Sequence, residues 1–201
     1  MNILTAIFAF LVMLNPFALF LYLRPVMQDL SAKQFRQVFF KASLISFFIY
    51  MVFLLFGNFI FEKIFQINFE SFRIFGGIIL FSLAYLYIIK GQKGFLQAKE
   101  NLDDLASEIA LPFMVGAGTI SLAILLGDRL TFPQNIISLV AIMIINYIIV
   151  IGLIEIRARI NHRKFKVAFD KNMEILIRIN GFFVGAIGIN MILNGITNIL
   201  N

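Results

Sequence analysis

Six stretches without a charged residue divide this chain, at 1–23, 42–61, 74–89, 109–127, 130–154 and 179–201. A helix needs about 20 apolar residues to cross the hydrocarbon of a bilayer, with a range of roughly 17–25. Five of the runs meet that length, and 74–89 reaches it if Arg73 and Lys90 snorkel to the two interfaces. Lipid offers backbone polar groups no partner, so only helices and closed barrels cross it. The runs lack the period-two alternation of barrel strands. The expected fold is therefore all-α, a polytopic membrane protein of six transmembrane helices.

Composition agrees and narrows the chemistry. The chain is 61% hydrophobic and 14% charged, against about 25% charged in soluble domains. With no cysteine it has no disulfide scaffold, no thiol catalysis and no thiolate metal site. Its single histidine, His162, lies in a basic connection, which excludes a histidine metal cluster. No metal or cofactor is expected. The first run has no basic residue before it and no small-residue cleavage site after it, so it reads as a retained span.

The net charge of +6 is a matter of topology and not of nucleic-acid binding. Fourteen of the seventeen Lys and Arg residues fall in three alternate connections: Arg24 to Lys41, Lys90 to Lys99, and Arg157 to Arg178. The remaining connections hold only Lys63, Arg73 and Arg129. The positive-inside rule puts the first, third and fifth connections in the cytoplasm and both termini outside. Ser31 and Gln34 have capping-box spacing, which predicts that the second helix begins near Ala32.

The chain reads as one membrane domain, 1–201, with repeat halves of about 1–95 and 100–201. Phe72-Arg73-Ile74-Phe75-Gly76 matches Ile177-Arg178-Ile179-Asn180-Gly181, and Asn15-Pro16-Phe17-Ala18 falls on Gly116-Ala117-Gly118-Thr119. Three spans per half reverse the second half's orientation, which predicts two inverted three-helix repeats. The solvated connection from Gly91 to Ser107, with Glu100, Asp103 and Asp104, divides them.

Breaker residues stand inside two of the runs. Pro16 removes a backbone donor and frees the carbonyl of Val12, and Pro112 does the same to Glu108. Gly116 and Gly118 lower the cost of leaving helical geometry and admit close approach. Helices 1 and 4 are thus expected to be broken at mid-membrane, where irregular backbone survives only in protein or beside a wet cavity. Matching breaks in two halves point to a transporter site. Half-helix N-termini attract a carboxylate and freed carbonyls take an ammonium, so the chemistry suits a zwitterion. The candidate substrate-binding residues are Asn15, Pro16, Gly116, Ala117, Gly118 and Thr119.

Other intramembrane features read first as packing. Gly181, Gly185 and Gly188 form a small face suited to a neighbouring helix. Arg73, Arg178, Asn146 and Asn190 are candidates for a gate or for packing, and Ser43, Ser46, Tyr50, Tyr147 and Asn194 for interhelical hydrogen bonds. No Asp, Glu, Lys, Arg or His lies centrally in any run, which argues against a proton relay through a buried carboxylate, an intramembrane protease and enzymatic chemistry in general.

Asn15-Pro16, Leu30-Ser31, Phe72 to Ile78, Ala110-Leu111-Pro112 followed by Gly116-Ala117-Gly118, and Arg178-Ile179-Asn180-Gly181 with Gly195 occur in an order that resembles the MarC family over essentially the full length. The resemblance implies six spans in two inverted halves, the bacterial cytoplasmic (inner) membrane, and similarity to transporters of small neutral amino acids. It implies a site between the first and fourth helices. Ala18 and Phe20 stand where members usually have glycine and a second proline, and Ala117 where they often have proline. The expected function is secondary transport of small neutral amino acids or similar solutes, with membrane lipid and a zwitterionic solute as partners and no nucleic acid. Export of other small molecules, or a non-transporting structural or assembly role, are the alternatives.

Overall fold

The computed structural model describes residues 3–90 and 102–200, and among these it contains helices and turns and no strand. Lys93, Lys99 and Glu100 of the third connection lie outside the described residues, as do the side chains of Arg24, Lys90, Asp103, Pro112 and Ala117. The helices are α1 (Ile3–Leu14), α2 (Pro16–Tyr22), α3 (Arg24–Asp29), α4 (Ala32–Phe59), α5 (Phe69–Lys90), α6 (Leu102–Glu108), α7 (Ala117–Arg129), α8 (Phe132–Arg159) and α9 (Arg163–Leu200). Single π-helical turns at Ile60–Ile64 and Ile109–Met114 continue α4 and α6.

Among the described residues, five stretches are long and apolar enough to cross a membrane: Ile3–Leu21, Ala32–Ile64, Phe69–Leu86, Phe132–Arg159 and Arg163–Leu200. The expected run 109–127 is not among them, because its helix is divided. Leu111, the residue before a proline, is extended at φ −120 and ψ 115, as such residues prefer. Gly116, at φ −133 and ψ 172, is extended as well, and α7 starts afresh after it. Large apolar side chains such as Phe8, Phe48, Ile148 and Phe182 point outward on the long helices. A continuous apolar exterior of this kind suits lipid and not water. The chain is an integral membrane protein.

Caps explain where α4 and α8 start. The Ser31 N–H donates to Gln34 Oε1 at 3.0 Å and the Gln34 N–H to Ser31 Oγ at 3.3 Å, at the place the spacing predicts. The Thr131 N–H donates to Gln134 Oε1 at 3.1 Å and opens α8 in the same way. The two helices are each 28 residues long. Their buried faces match by position: Phe35, Val38, Phe39, Ala42, Ser43, Ser46 and Tyr50 in one, and Asn135, Ser138, Leu139, Ile142, Met143, Asn146 and Val150 in the other. They lie antiparallel, since Arg36 near the start of α4 pairs with Glu155 near the end of α8, and Phe39 stacks on Tyr147.

α5 and α9 form the most extensive pairing and are also antiparallel. Asn198 Nδ2 donates to Glu70 Oε1 at 2.9 Å at one end, and Gly185 lies against Ala84 at the other. Between them the backbones touch: a methyl on Gly77 would sit 2.5 Å from the Gly188 carbonyl oxygen. A methyl on Gly188 would sit 2.8 Å from that of Gly77. The small face on α9 is therefore a packing surface, the use small residues have where lipid supplies no hydrophobic drive.

Candidate functional site

The first break is made by Asn15 and Pro16. Asn15 adopts φ 48 and ψ 70, the left-handed region that asparagine tolerates better than most side chains. Its Oδ1 accepts from the Ala18 N–H at 3.1 Å and caps α2, while Pro16 takes the first position of α2, where its lack of an N–H costs that helix no bond. The carbonyl of Val12, which a residue-16 N–H would otherwise reach, accepts from Asn180 Nδ2 of α9 at 3.0 Å. The donor that proline removes is replaced from another helix.

The second break is held by Thr119 and Tyr50. Thr119 Oγ1 accepts from the Gly116 N–H at 2.9 Å, and its own proton is shared between Met114 O at 3.2 Å and Gly116 O at 3.0 Å. The hydroxyl of Tyr50, in α4, also donates to Met114 O. The Tyr50 ring meets Phe10 of α1 edge-on, with centroids 5.0 Å apart, so one side chain touches both broken helices. The polar side chains that hold the breaks are deeply buried, with Asn15 and Thr119 only 3% and 5% exposed.

The two breaks are neighbours. A methyl on Gly118 would run into Met13 Cε and into Leu80 of α5, so the glycine admits close contact between α7 and the end of α1. Gly116 differs from the expectation that both glycines ease the backbone out of helix. Its extended conformation is open to any residue, and nothing lies within 4 Å of a methyl placed there. It faces open space beside the break. Ala117 begins α7, and its side chain lies outside the described ones.

The candidates for gating separate. Arg73 is bonded within its own helix to Glu70 at 3.3 Å and is 12% exposed in its side chain. That pair, with Asn198, ties the start of α5 to the end of α9, which makes Arg73 a capping and packing residue. Arg178 and Asn190 are exposed on α9. Asn146 is completely buried in α8, with both amide atoms unpartnered among the described residues. Tyr50 makes the interhelical hydrogen bond that sequence reasoning allowed it, although its acceptor was not foreseen, and the role of Asn180 as partner of the other freed carbonyl was missed. The only signal available was that a carbonyl released by Pro16 needs a donor from elsewhere.

Two hollows lie apart from the breaks. A groove of about 350 Å³ between α4 and α8 is lined by Phe40, Leu44, Phe47, Val140, Ile144 and Tyr147 and is almost wholly apolar. A second, of about 230 Å³, has Arg36, Glu155 and Arg157 above Leu30, Phe35 and Ile154. There Arg36 pairs with Glu155, and Arg157 Nε with Asp170 Oδ1 at 2.8 Å.

The model of the MarC family integral membrane proteins matches residues 1–200. A UPF0056 membrane protein of Pyrococcus horikoshii is 27% identical over 196 residues, covering 96% of this chain and 93% of the relative. One of Aquifex aeolicus is 24% identical, covering 97% and 92%, and one of Methanocaldococcus jannaschii is 28% identical, covering 80% and 72%. No solved structure matches. With two interrupted helices at the positions that carry the resemblance, and a family match along the whole chain, the protein belongs to the MarC family of integral membrane proteins.

Proposed function

We propose that the protein is a secondary transporter of small neutral amino acids or similar small solutes across the cytoplasmic membrane, with the solute held between the broken helices. The observation that carries this reading is the pair of adjacent breaks. Each frees a backbone carbonyl, Val12 O or Met114 O, and each carbonyl is held by a side chain from another helix. Such bonds keep non-helical backbone in place without water, and a solute's ammonium can share the same oxygens. The start of α7 beside the open space at Gly116 offers the positive end of a helix to a carboxylate. No Asp, Glu, Lys, Arg or His is part of either break, which favours a neutral or zwitterionic solute.

In this reading α6 and α7 together make a sixth crossing, and the chain forms two inverted repeats with both termini outside. The equal lengths, matching buried faces and antiparallel pairing of α4 and α8 support that relation. Access then alternates as one half rocks against the other. Uptake and efflux of labelled glycine, alanine and serine by membrane vesicles carrying the protein test the proposal. Transport above that of empty vesicles is expected, and its absence in both directions under proton and sodium gradients would refute the amino-acid version.

A further inference from the structure

Six side-chain polar atoms are buried without a hydrogen-bond partner among the described residues: Asn15 Nδ2, Ser121 Oγ, Asn135 Oδ1, Ser138 Oγ, and Asn146 Nδ2 and Oδ1. Four of the six are on α8, from residues 2%, 0% and 0% exposed. At 3.6 residues per turn, positions 135, 138 and 146 fall within an arc of about 80° on that helix. Of the α8 residues that line the apolar groove against α4, Val140, Ile144 and Tyr147 point away from this arc, and Met143 lies beside it. α8 also packs across α1 and α2, the two pieces of the first broken helix, and Asn15 between them carries another of the unpaired atoms.

A dry helix interface does not take this form. Buried polar groups are almost always paired, and an unpaired one forfeits its hydration for nothing. Ser43 and Ser46, on the matching face of α4, satisfy themselves on the carbonyls of Phe39 and Ala42. Ser138 does not. We propose that this face of α8 lines a solute path, closed in this structure, that admits water when the helices part and runs from Asn135, near the capped start of the helix, to Asn146. There the carboxamide, with donor and acceptor both open, holds the polar part of the solute.

All the side chains concerned are amides or hydroxyls, so nothing on the path offsets the desolvation of a net charge. The charged groups at the other end of α8 are engaged elsewhere, Glu155 with Arg36 and Arg157 with Asp170. The path therefore suits uncharged or zwitterionic solutes. The solute's identity rests on the transport reading, whereas the hydration of the face does not.

The chain contains no cysteine, so single-cysteine variants can be read in the otherwise native protein. Asn135→Cys, Ser138→Cys and Asn146→Cys are labelled in opened membranes with a cationic methanethiosulfonate, with Ile148→Cys on the outward face as reference. The reactive thiolate forms in water and not in a dry or lipid setting, so the three path positions are expected to react at least about tenfold faster than the reference. Glycine is expected to slow labelling at Ile142→Cys, one turn from Asn146 on the same buried face, and adding Asn146→Ala is expected to remove that protection. Labelling of Ser138→Cys and Asn146→Cys at the reference rate, in protein that elutes as the native chain does, overturns the path. Should Asn146→Cys fail to fold, the near-isosteric Ser138→Cys decides alone. Fast labelling without transport of glycine, alanine or serine keeps the path and refutes the amino-acid reading. Transport with both positions unlabelled does the reverse. Glycine transport without protection at Ile142→Cys, or protection that survives Asn146→Ala, overturns Asn146 as the contact.

Discussion

Asn180 Nδ2 donates to the carbonyl of Val12 at 3.0 Å, a bond between residues 168 apart in the chain. It supplies the donor that Pro16 withholds, and so couples α9 to the break between α1 and α2. Asn180→Leu is expected to leave Val12 O unpaired and to lower stability by about 1–3 kcal/mol. With Pro16→Ala the backbone regains an N–H, and the cost of Asn180→Leu should shrink. Thermal unfolding of the four proteins of this double-mutant cycle in detergent measures the coupling, and equal costs in the two backgrounds would contradict the assignment.

Tyr50 and Thr119 both donate to Met114 O. Either loss alone leaves the carbonyl one partner, so Tyr50→Phe should cost only about 0.5–1.5 kcal/mol. Tyr50→Phe combined with Thr119→Val strips the carbonyl and should lose more than the sum of the single variants. Additive losses of unfolding temperature would show that the two hydroxyls do not share it.

The glycines separate packing from open space. Gly188→Ala puts a methyl 2.8 Å from the Gly77 carbonyl oxygen, a backbone atom that cannot swing aside. A loss of about 1–3 kcal/mol is expected from such overpacking. Gly118→Ala meets the flexible ends of Met13 and Leu80 and should cost less. Gly116→Ala meets nothing within 4 Å and should leave unfolding unchanged. The order of the three unfolding temperatures is the check.

Ion pairs should rank by burial. Arg36 and Glu155 are 54% and 40% exposed in their side chains, and Arg157 and Asp170 are 21% and 15% exposed. Glu155→Gln is expected to cost no more than about 1 kcal/mol, as exposed pairs do. Asp170→Asn should cost more, because it leaves a partly buried guanidinium without its charge partner. Unfolding at low and high salt measures both, and the Arg36–Glu155 contribution should be the more salt-sensitive.

Much of the fold is legible in the residue order, for local reasons. A proline after an asparagine announces the first break, since one removes a donor and the other tolerates the left-handed turn. Ser31 and Gln34 mark the start of α4, and Thr131 with Gln134 carries the same signal for α8. Charge-free runs mark the hydrocarbon but not the helix ends. α8 continues past Glu155 to Arg159, and α9 begins at Arg163, well before its apolar run at 179. Helices stop at caps, whereas charges mark where lipid stops. What holds each break was legible only in part, since Tyr50 was readable as an interhelical hydrogen-bond partner but its acceptor and the role of Asn180 were not. Tyr50 and Asn180 act across helices, and no local pattern announces a partner on another helix. Gly116 was expected to supply backbone freedom, yet its conformation suits any residue, and its use lies in the space beside it.

The transport reading requires a solute to bind in the open space beside Gly116. Counterflow of labelled glycine, alanine and serine in proteoliposomes tests it most directly, with the native protein beside Gly116→Leu. The native protein is expected to exchange at least one of them, and Gly116→Leu to abolish exchange while unfolding at the native temperature. Equal exchange by the two proteins, or none by the native protein, would contradict the claim.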